Sequence, residues 1–109
     1  MWRLGTMGFG YADWRGPFYP PGSLSGAEKI AAYAETFDAV ELDSTFHATP
    51  PAERAAKWAD AVPADRRATF RFTAKLCKQF TQSIDPLPTL VPLLDAHRAA
   101  MRPLREAGM

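Results

Sequence analysis

The hydrophobic and polar positions of the chain predict three strand–helix pairs in succession. Apolar residues recur at helical spacing over about 27–37, 51–61 and 89–107. Short apolar or alternating runs precede these segments at about 2–6, 38–43 and 69–75, and each run predicts a strand. Repeated strand–helix alternation is typical of an α/β domain with a parallel sheet and right-handed crossovers.

Local signals mark the ends of the predicted helices. Ser25 and Glu28 have the spacing of a capping box, so the first helix should begin here. Thr49 is the predicted N-cap of the second helix. Gly108 is the predicted C-cap of the third helix, and Pro103 is predicted to kink that helix. The predicted core-facing residues are Ile30, Tyr33, Ala34 and Phe37, then Ala55, Trp58 and Val62, then Leu90, Leu93, Leu94, His97, Met101 and Leu104.

The segment 38–47 is predicted to be a short strand followed at once by a polar turn. Residues two apart in a strand share a face, so Val40 and Leu42 point one way while Glu41 and Asp43 point the other. Two carboxylates on one face repel each other unless water, a cation or a basic neighbour relieves the repulsion. This arrangement predicts a functional site near the end of the strand.

The site chemistry that these residues suggest remains open at the level of sequence. Glu41 and Asp43 are candidates for general acid–base catalysis or for holding a divalent cation such as Mg²⁺ or Mn²⁺; the alternative is a solvated strand face. His47 is a candidate proton carrier, because histidine exchanges protons near neutral pH, or else a surface residue. The identity of any metal is left unknown.

The third strand supplies a basic partner for the carboxylates. Its alternation gives Phe70, Phe72 and Ala74 one face, and gives Thr69, Arg71, Thr73 and Lys75 the other. Lys75 is predicted to stabilise an anion, to form a Schiff base or to pair with Glu41. Arg71 is predicted to be structural.

A long loop rich in aromatic residues follows the first strand, over about 9–22. Its prolines and glycines exclude a regular helix or a central strand, and its aromatic residues argue against disorder. Tyr11, Trp14, Phe18 and Tyr19 are candidates for a platform that stacks on a sugar or a base. The alternative is that the loop covers one end of a small core.

Composition limits the class of protein. The chain has 109 residues, 47% of them hydrophobic, and a net charge of +1, which is typical of one globular domain and gives no argument for nucleic acid or an anionic membrane. No apolar run approaches the roughly 18 residues of a membrane helix. The single Cys77, predicted to be a buried inert thiol, and the lack of a signal pattern favour a soluble cytoplasmic protein.

Four motifs, in order, resemble the YecE-like family (domain of unknown function 72). They are Gly5-Thr6-Met7-Gly8-Phe9, Asp13-Trp14-Arg15-Gly16-Pro17-Phe18-Tyr19-Pro20, Val40-Glu41-Leu42-Asp43-Ser44-Thr45-Phe46 and Phe70-Arg71-Phe72-Thr73-Ala74-Lys75. The chain departs from the family pattern at four positions: Met7 stands for Ser, Asp43 for Asn, His47 for Tyr and Gln82 for His.

The resemblance implies a fold and a place for the site. Members of that family resemble TIM barrels of about twice this length or more, whose role is not established, so residues 1–109 are expected to be an N-terminal fragment holding the first three strand–helix units of an (β/α)8 barrel. In such a barrel Glu41, Asp43 and Lys75 face inward near the C-terminal ends of neighbouring strands.

Three functional hypotheses follow. The complete barrel is a small-molecule enzyme with an acid–base or cation site, or it is a module that binds a small molecule or partner through the aromatic loop without chemistry. The third hypothesis is a truncated product with no function of its own. Because three strands cut from a barrel leave two open edges, we expect self-association or dependence on a missing C-terminal part.

Overall fold

The computed structural model, which describes residues 1–83 and 85–109, confirms an α/β fold with a parallel sheet. The strands lie side by side in chain order. They are β1 (Gly5–Met7), β2 (Ala39–Leu42) and β3 (Arg71–Ala74). The α-helices of the described residues are α1 (Gly26–Thr36), α2 (Ser44–His47), α3 (Ala52–Ala61) and α4 (Leu87–Glu106), and two short 3-10 helices lie at Ala12–Trp14 and Lys78–Phe80. β2 pairs in parallel with both neighbours, so it is the central strand of this sheet.

The hydrophobic core lies between one face of the sheet and the helices α1, α3 and α4. Val40 and Leu42 are buried on this face, as is Phe70 just before β3. The core faces predicted for α1 and α3 are confirmed, since Ile30, Tyr33, Ala34, Ala55, Trp58 and Val62 are all buried and Phe37 is half-buried against them. Helix α3 packs against both α1 and α4. The alternation of β2 therefore sends its apolar residues to the helices, as predicted.

The capping box that begins α1 is confirmed. The Ser25 hydroxyl accepts a hydrogen bond from the Glu28 N–H at 3.2 Å, and the Glu28 carboxylate accepts one from the Ser25 N–H at 2.7 Å. Two donors at the helix start, which have no partner inside the helix, are satisfied in this way.

Tyr33 of α1 joins β1 to β2. Its buried hydroxyl accepts a hydrogen bond from the Thr6 N–H at 2.7 Å and donates one to the Ala39 carbonyl at 3.0 Å. The strands approach closely beside this contact, because a Cβ at Gly5 would lie 1.9 Å from the Ala39 oxygen. Glycine is therefore required at position 5.

The predicted bounds of the first strand were wrong. Trp2 is 98% exposed, and β1 begins only at Gly5. Bonding to the neighbouring strand starts at the Leu4 carbonyl, which accepts from the N–H groups of Asp38 and Ala39. An apolar side chain does not make a strand where the backbone has no partner in register.

Two features between β2 and α3 also differ from the prediction. Residues 44–47, predicted as a polar turn, form the short helix α2, and Pro51, not Thr49, is the N-cap of α3. A residue that precedes proline is kept out of the helical region. Because Pro50 precedes Pro51, helical geometry cannot begin directly after Thr49.

Helix α4 is less buried than its apolar stripe predicted. Of the predicted stripe only Leu104 is fully buried; Leu90, Leu93, Leu94, His97 and Met101 are half-buried. Burial lowers the pKa of His97, which lies at the edge of the core as expected. Pro103 lies inside the helix, and the kink predicted there stays a prediction.

The C-cap of α4 is Ala107, and the predicted Gly108 is the left-handed residue directly after it. Gly108 has a positive φ of 73°, its N–H donates to the Arg105 carbonyl, and the Met109 N–H donates to the Leu104 carbonyl. These two bonds define a Schellman motif. Within residues 1–83 and 85–109, no helix combines the length and the apolar character needed to cross a bilayer.

Candidate functional site

The ends of β2 and β3 bring Lys75 and the two carboxylates together. The sheet register places Leu42 opposite Ala74, and the next residues along each strand are Asp43 and Lys75. Lys75 Nζ lies 2.8 Å from Asp43 Oδ1 and 3.7 Å from Glu41 Oε1. The closer partner is therefore Asp43 rather than Glu41, the pairing weighed from the sequence.

This contact fixes the charge states of the pair. The hydrogen bond from Lys75, reinforced by the charges of Lys75 and His47, holds the pKa of Asp43 below its usual value. The same hydrogen bond, with the charges of Asp43 and Glu41, raises the pKa of Lys75. At neutral pH the pair is thus a carboxylate and an ammonium group, and an ammonium group is not the nucleophile that Schiff-base formation needs.

Helix α2 places His47 beside this ion pair. The turn is held by Thr45, which is fully buried and donates its hydroxyl to the Leu42 carbonyl at 2.8 Å. An open cavity of about 570 Å³ lies beside α2 and the ion pair. Its lining consists of Asp43, Phe46, His47, Lys75, Leu76, Thr81 and Gln82. His47 and the Lys75–Asp43 pair therefore face one common space.

Glu41 lies outside that cavity. It lines a separate groove on the sheet face opposite the core, together with Gly5, Thr6, Met7, Ala39, Val40 and Thr73. Its side chain is 39% exposed, and its contact with the cavity runs through Lys75. The structure thus brings Asp43, His47 and Lys75 together and leaves Glu41 one side chain away.

Some contacts of Lys75 were missed by the sequence reasoning. Lys75 Nζ donates to Met7 Sδ at 3.1 Å and lies 6.0 Å from the centre of the Phe46 ring. The signal for Met7 was its place at the end of β1, opposite Glu41 in the register. Gln82 was noted only as a departure from the family pattern, yet it lines the cavity with His47.

The aromatic loop packs chiefly against the core. The ring of Trp14 stacks on Tyr33 of α1 at 6.4 Å, Phe18 meets Tyr33 edge-on, and Tyr19 is only 3% exposed. Tyr11 is the exception, since it is 46% exposed and donates its hydroxyl to the Met7 carbonyl. Three of the four candidate rings thus cover one end of the core, and Tyr11 alone is broadly accessible.

The carboxylates are the residues that would hold a divalent cation. The described residues contain no group of three or more His, Cys, Asp and Glu side chains placed to hold a metal ion. Lys75 Nζ occupies the space beside both Glu41 and Asp43, so its ammonium group already supplies the positive charge there. The described residues therefore fit an ion pair better than a metal centre.

The fold and the site define a parallel α/β domain with polar groups at the carboxyl ends of its strands. The sequence model of the family described as "Protein of unknown function DUF72" matches residues 3–108. The chain therefore belongs to the DUF72 family.

One curated protein and two crystal structures are similar to the chain. The chain is 31% identical over 103 residues to the UPF0759 protein YunF of Bacillus subtilis (strain 168), an alignment that covers 92% of the chain and 34% of that protein. Two crystal structures of a DUF72 family protein from Enterococcus faecalis V583 superpose with TM-scores of 0.63 and 0.66, at 25% and 26% identity, over 96% of the chain and 35% of theirs. The chain thus spans about a third of the length of these relatives.

Proposed function

We propose that the chain forms the first three strand–helix units of a TIM barrel and that its strand ends form one side of a small-molecule active site. The parallel strand order β1-β2-β3 supports this proposal, as does the length of the relatives, about three times that of the chain. Active sites of TIM barrels lie at the carboxyl ends of the strands. Asp43, Lys75 and His47 lie at such ends.

The chemistry we propose is acid–base catalysis on a polar small molecule that develops negative charge. The contact of 2.8 Å between Lys75 and Asp43, at the wall of a cavity shared with His47, carries this proposal. Lys75 would stabilise the developing charge, because an ammonium group held in place by a carboxylate needs no reorganisation during the reaction. Asp43 would position Lys75, and His47 would move the proton.

A divalent cation is the variant of this proposal that requires the most change. A cation bound by Glu41 and Asp43 would have to displace the ammonium group of Lys75. Further oxygen ligands would have to come from the rest of the barrel, since such cations take six or more.

Binding without chemistry is the second candidate function. It is favoured by Tyr11, whose exposed ring lies 4.9 Å from the ring of Trp14 and is free to contact a ligand on its outer side. A sugar or another small molecule would then be held by Tyr11 rather than by the Lys75 cavity.

A ligand screen followed by matched variants separates the two candidates. Polar metabolites would be screened by ligand-observed NMR against the chain and against Lys75→Met, Tyr11→Ala and the control Lys57→Met, an exposed lysine of α3. Lost turnover of a hit with retained binding in Lys75→Met supports the enzyme. Lost binding in Tyr11→Ala, with Lys75→Met unchanged, would refute it in favour of the module.

We further propose that the 109-residue chain self-associates or depends on a C-terminal part. In the described sheet β1 and β3 each have one neighbour, so each presents an unpaired edge. Exposed apolar side chains at Leu4 and Leu76 add to this tendency. A sizing column and a near-ultraviolet circular dichroism melt test it: a compact monomer with a cooperative transition would contradict the proposal.

A further inference from the structure

A small polar cavity lies between the aromatic loop and the start of α1, separate from the Lys75 cavity. Its volume is about 110 Å³. The residues that line it include Gly10, Tyr11, Arg15, Tyr19, Gly22 and Lys29. One water molecule needs about 10–15 Å³ of cavity volume. The cavity could therefore hold several waters, and it is large enough for a tetrahedral oxyanion.

Among the described residues, two cationic side chains line this cavity, and no acidic side chain does. Arg15 and Lys29 both line it, and the ion pairs found among residues 1–83 and 85–109 include neither of them. The neighbouring acids Asp13 and Glu28 are not part of the lining, and the Glu28 carboxylate is bonded to the Ser25 N–H in the capping box. Two cations beside one polar space, with no acid in its wall, favour an anionic occupant.

The backbone of the loop adds donors. In the part of the chain that the structure describes, the N–H groups of Gly10, Tyr11 and Gly22 have no protein acceptor. The hydroxyls of the two tyrosines that line the cavity donate to carbonyls, Tyr11 to Met7 and Tyr19 to Phe9. The side-chain donors left for a ligand are therefore the two cations, and the residues that carry the three N–H groups also line the cavity.

We propose that this cavity binds a phosphate-type oxyanion through the Arg15 guanidinium and the Lys29 ammonium group. Arginine binds such anions with two parallel hydrogen bonds and lysine binds them as a point charge. The proposal does not depend on the catalytic role proposed for Lys75. A chain of contacts links the two cavities, since the Tyr11 hydroxyl is bonded to the Met7 carbonyl and the Met7 sulfur contacts Lys75.

Calorimetric titration with inorganic phosphate at constant ionic strength tests the proposal. The variants are Arg15→Gln and Lys29→Gln, and the matched controls are Arg54→Gln and Lys57→Gln on α3, outside the cavity. Losing one charge-assisted partner should weaken phosphate binding about tenfold or more. The controls should stay within about twofold, since they test only net charge.

Two results would overturn the site. One is a lack of phosphate binding by the unaltered chain; the other is equal weakening in the cavity variants and the controls. Arg15→Lys keeps the charge while losing the paired geometry, so it replaces Arg15→Gln if that variant loses its near-ultraviolet signal. Binding by Arg15→Lys should still be weaker than in the unaltered chain, and equal binding would count against the guanidinium contact.

A second probe separates two sources of the oxyanion. Glycerol 3-phosphate carries the same group on a small organic molecule and can be titrated into Lys75→Met. If Lys75→Met weakens binding of glycerol 3-phosphate but not of inorganic phosphate, the oxyanion belongs to an organic ligand whose binding depends on Lys75. If Lys75→Met weakens the binding of neither phosphate, the cavity binds a free anion, and the oxyanion site is independent of Lys75.

Discussion

Removing the Tyr33 hydroxyl should weaken the connection between β1 and β2 without disturbing the core around the ring. The side chain is fully buried, and its ring lies 4.6 Å from the ring of Phe37 and 6.4 Å from that of Trp14. Tyr33→Phe keeps these contacts. It removes the oxygen that accepts from the Thr6 N–H and donates to the Ala39 carbonyl.

The size of the effect follows from the two backbone groups left behind. A buried donor or acceptor that loses its partner costs about 1–3 kcal/mol. The Thr6 and Ala39 sites are only partly buried, so water recovers some of this cost. We therefore expect Tyr33→Phe to lower the free energy of unfolding by about 2 kcal/mol, or about 30-fold in the folding equilibrium.

Urea unfolding followed by near-ultraviolet circular dichroism measures this change, and hydrogen exchange locates it. The Thr6 amide should exchange faster in Tyr33→Phe, while amides of α3 follow only the global change. Tyr11→Phe is the matched control: its hydroxyl also donates to a backbone carbonyl, but the residue is 46% exposed, so we expect less than about 0.5 kcal/mol. Equal effects of the two substitutions would refute the reasoning.

Three further predictions follow from single contacts. Gly5→Ala places a methyl group 1.9 Å from the Ala39 carbonyl oxygen of β2 and should lower the melting temperature sharply. Gly10→Ala is the control, because the space around Gly10 is open, and it should leave the melting temperature nearly unchanged. Equal melting temperatures of the two variants would contradict this prediction. Burial and a neighbouring tyrosine raise the pKa of Tyr19 to about 12, above about 10 in the unfolded chain, so the free energy of unfolding should fall as the pH rises from about 10 to about 12. Tyr19→Phe should flatten that decline in alkaline urea titrations, and an unchanged slope would count against it. Lys75→Met should raise the pKa of the Asp43 carboxyl toward its usual value, as measured by carbon-13 NMR; no change would exclude the proposed hydrogen bond.

Features that depend on neighbouring residues were predictable. The Ser25–Glu28 capping box and the Gly108 cap involve residues a few positions apart, so their bonds form wherever the helix forms. The α/β class follows from the alternation of helical and strand periods, which the chain repeats. The predicted Thr49 cap was wrong because two adjacent prolines, Pro50 and Pro51, delay the start of the helix.

Part of the candidate site was also predictable. The two-residue period of β2 and β3 put Glu41, Asp43 and Lys75 on one side of the sheet, and the strand order made Asp43 and Lys75 neighbours. The preference of Lys75 for Asp43 over Glu41 was not predictable, because it depends on a difference of 0.9 Å between two contacts, 2.8 Å and 3.7 Å.

The sequence by itself determined the periods, the helix caps and the class of fold, because these depend on interactions within one turn or one strand. Only the tertiary structure decided where β1 begins, that Met7 meets Lys75 across 68 positions of chain, and that Arg15 and Lys29 share a cavity. Such contacts join segments whose approach is fixed by the packing of Tyr33 and its neighbours in the core. Local sequence patterns do not predict which distant segments come into contact, because the free energy that brings these segments together comes from burial of the whole core.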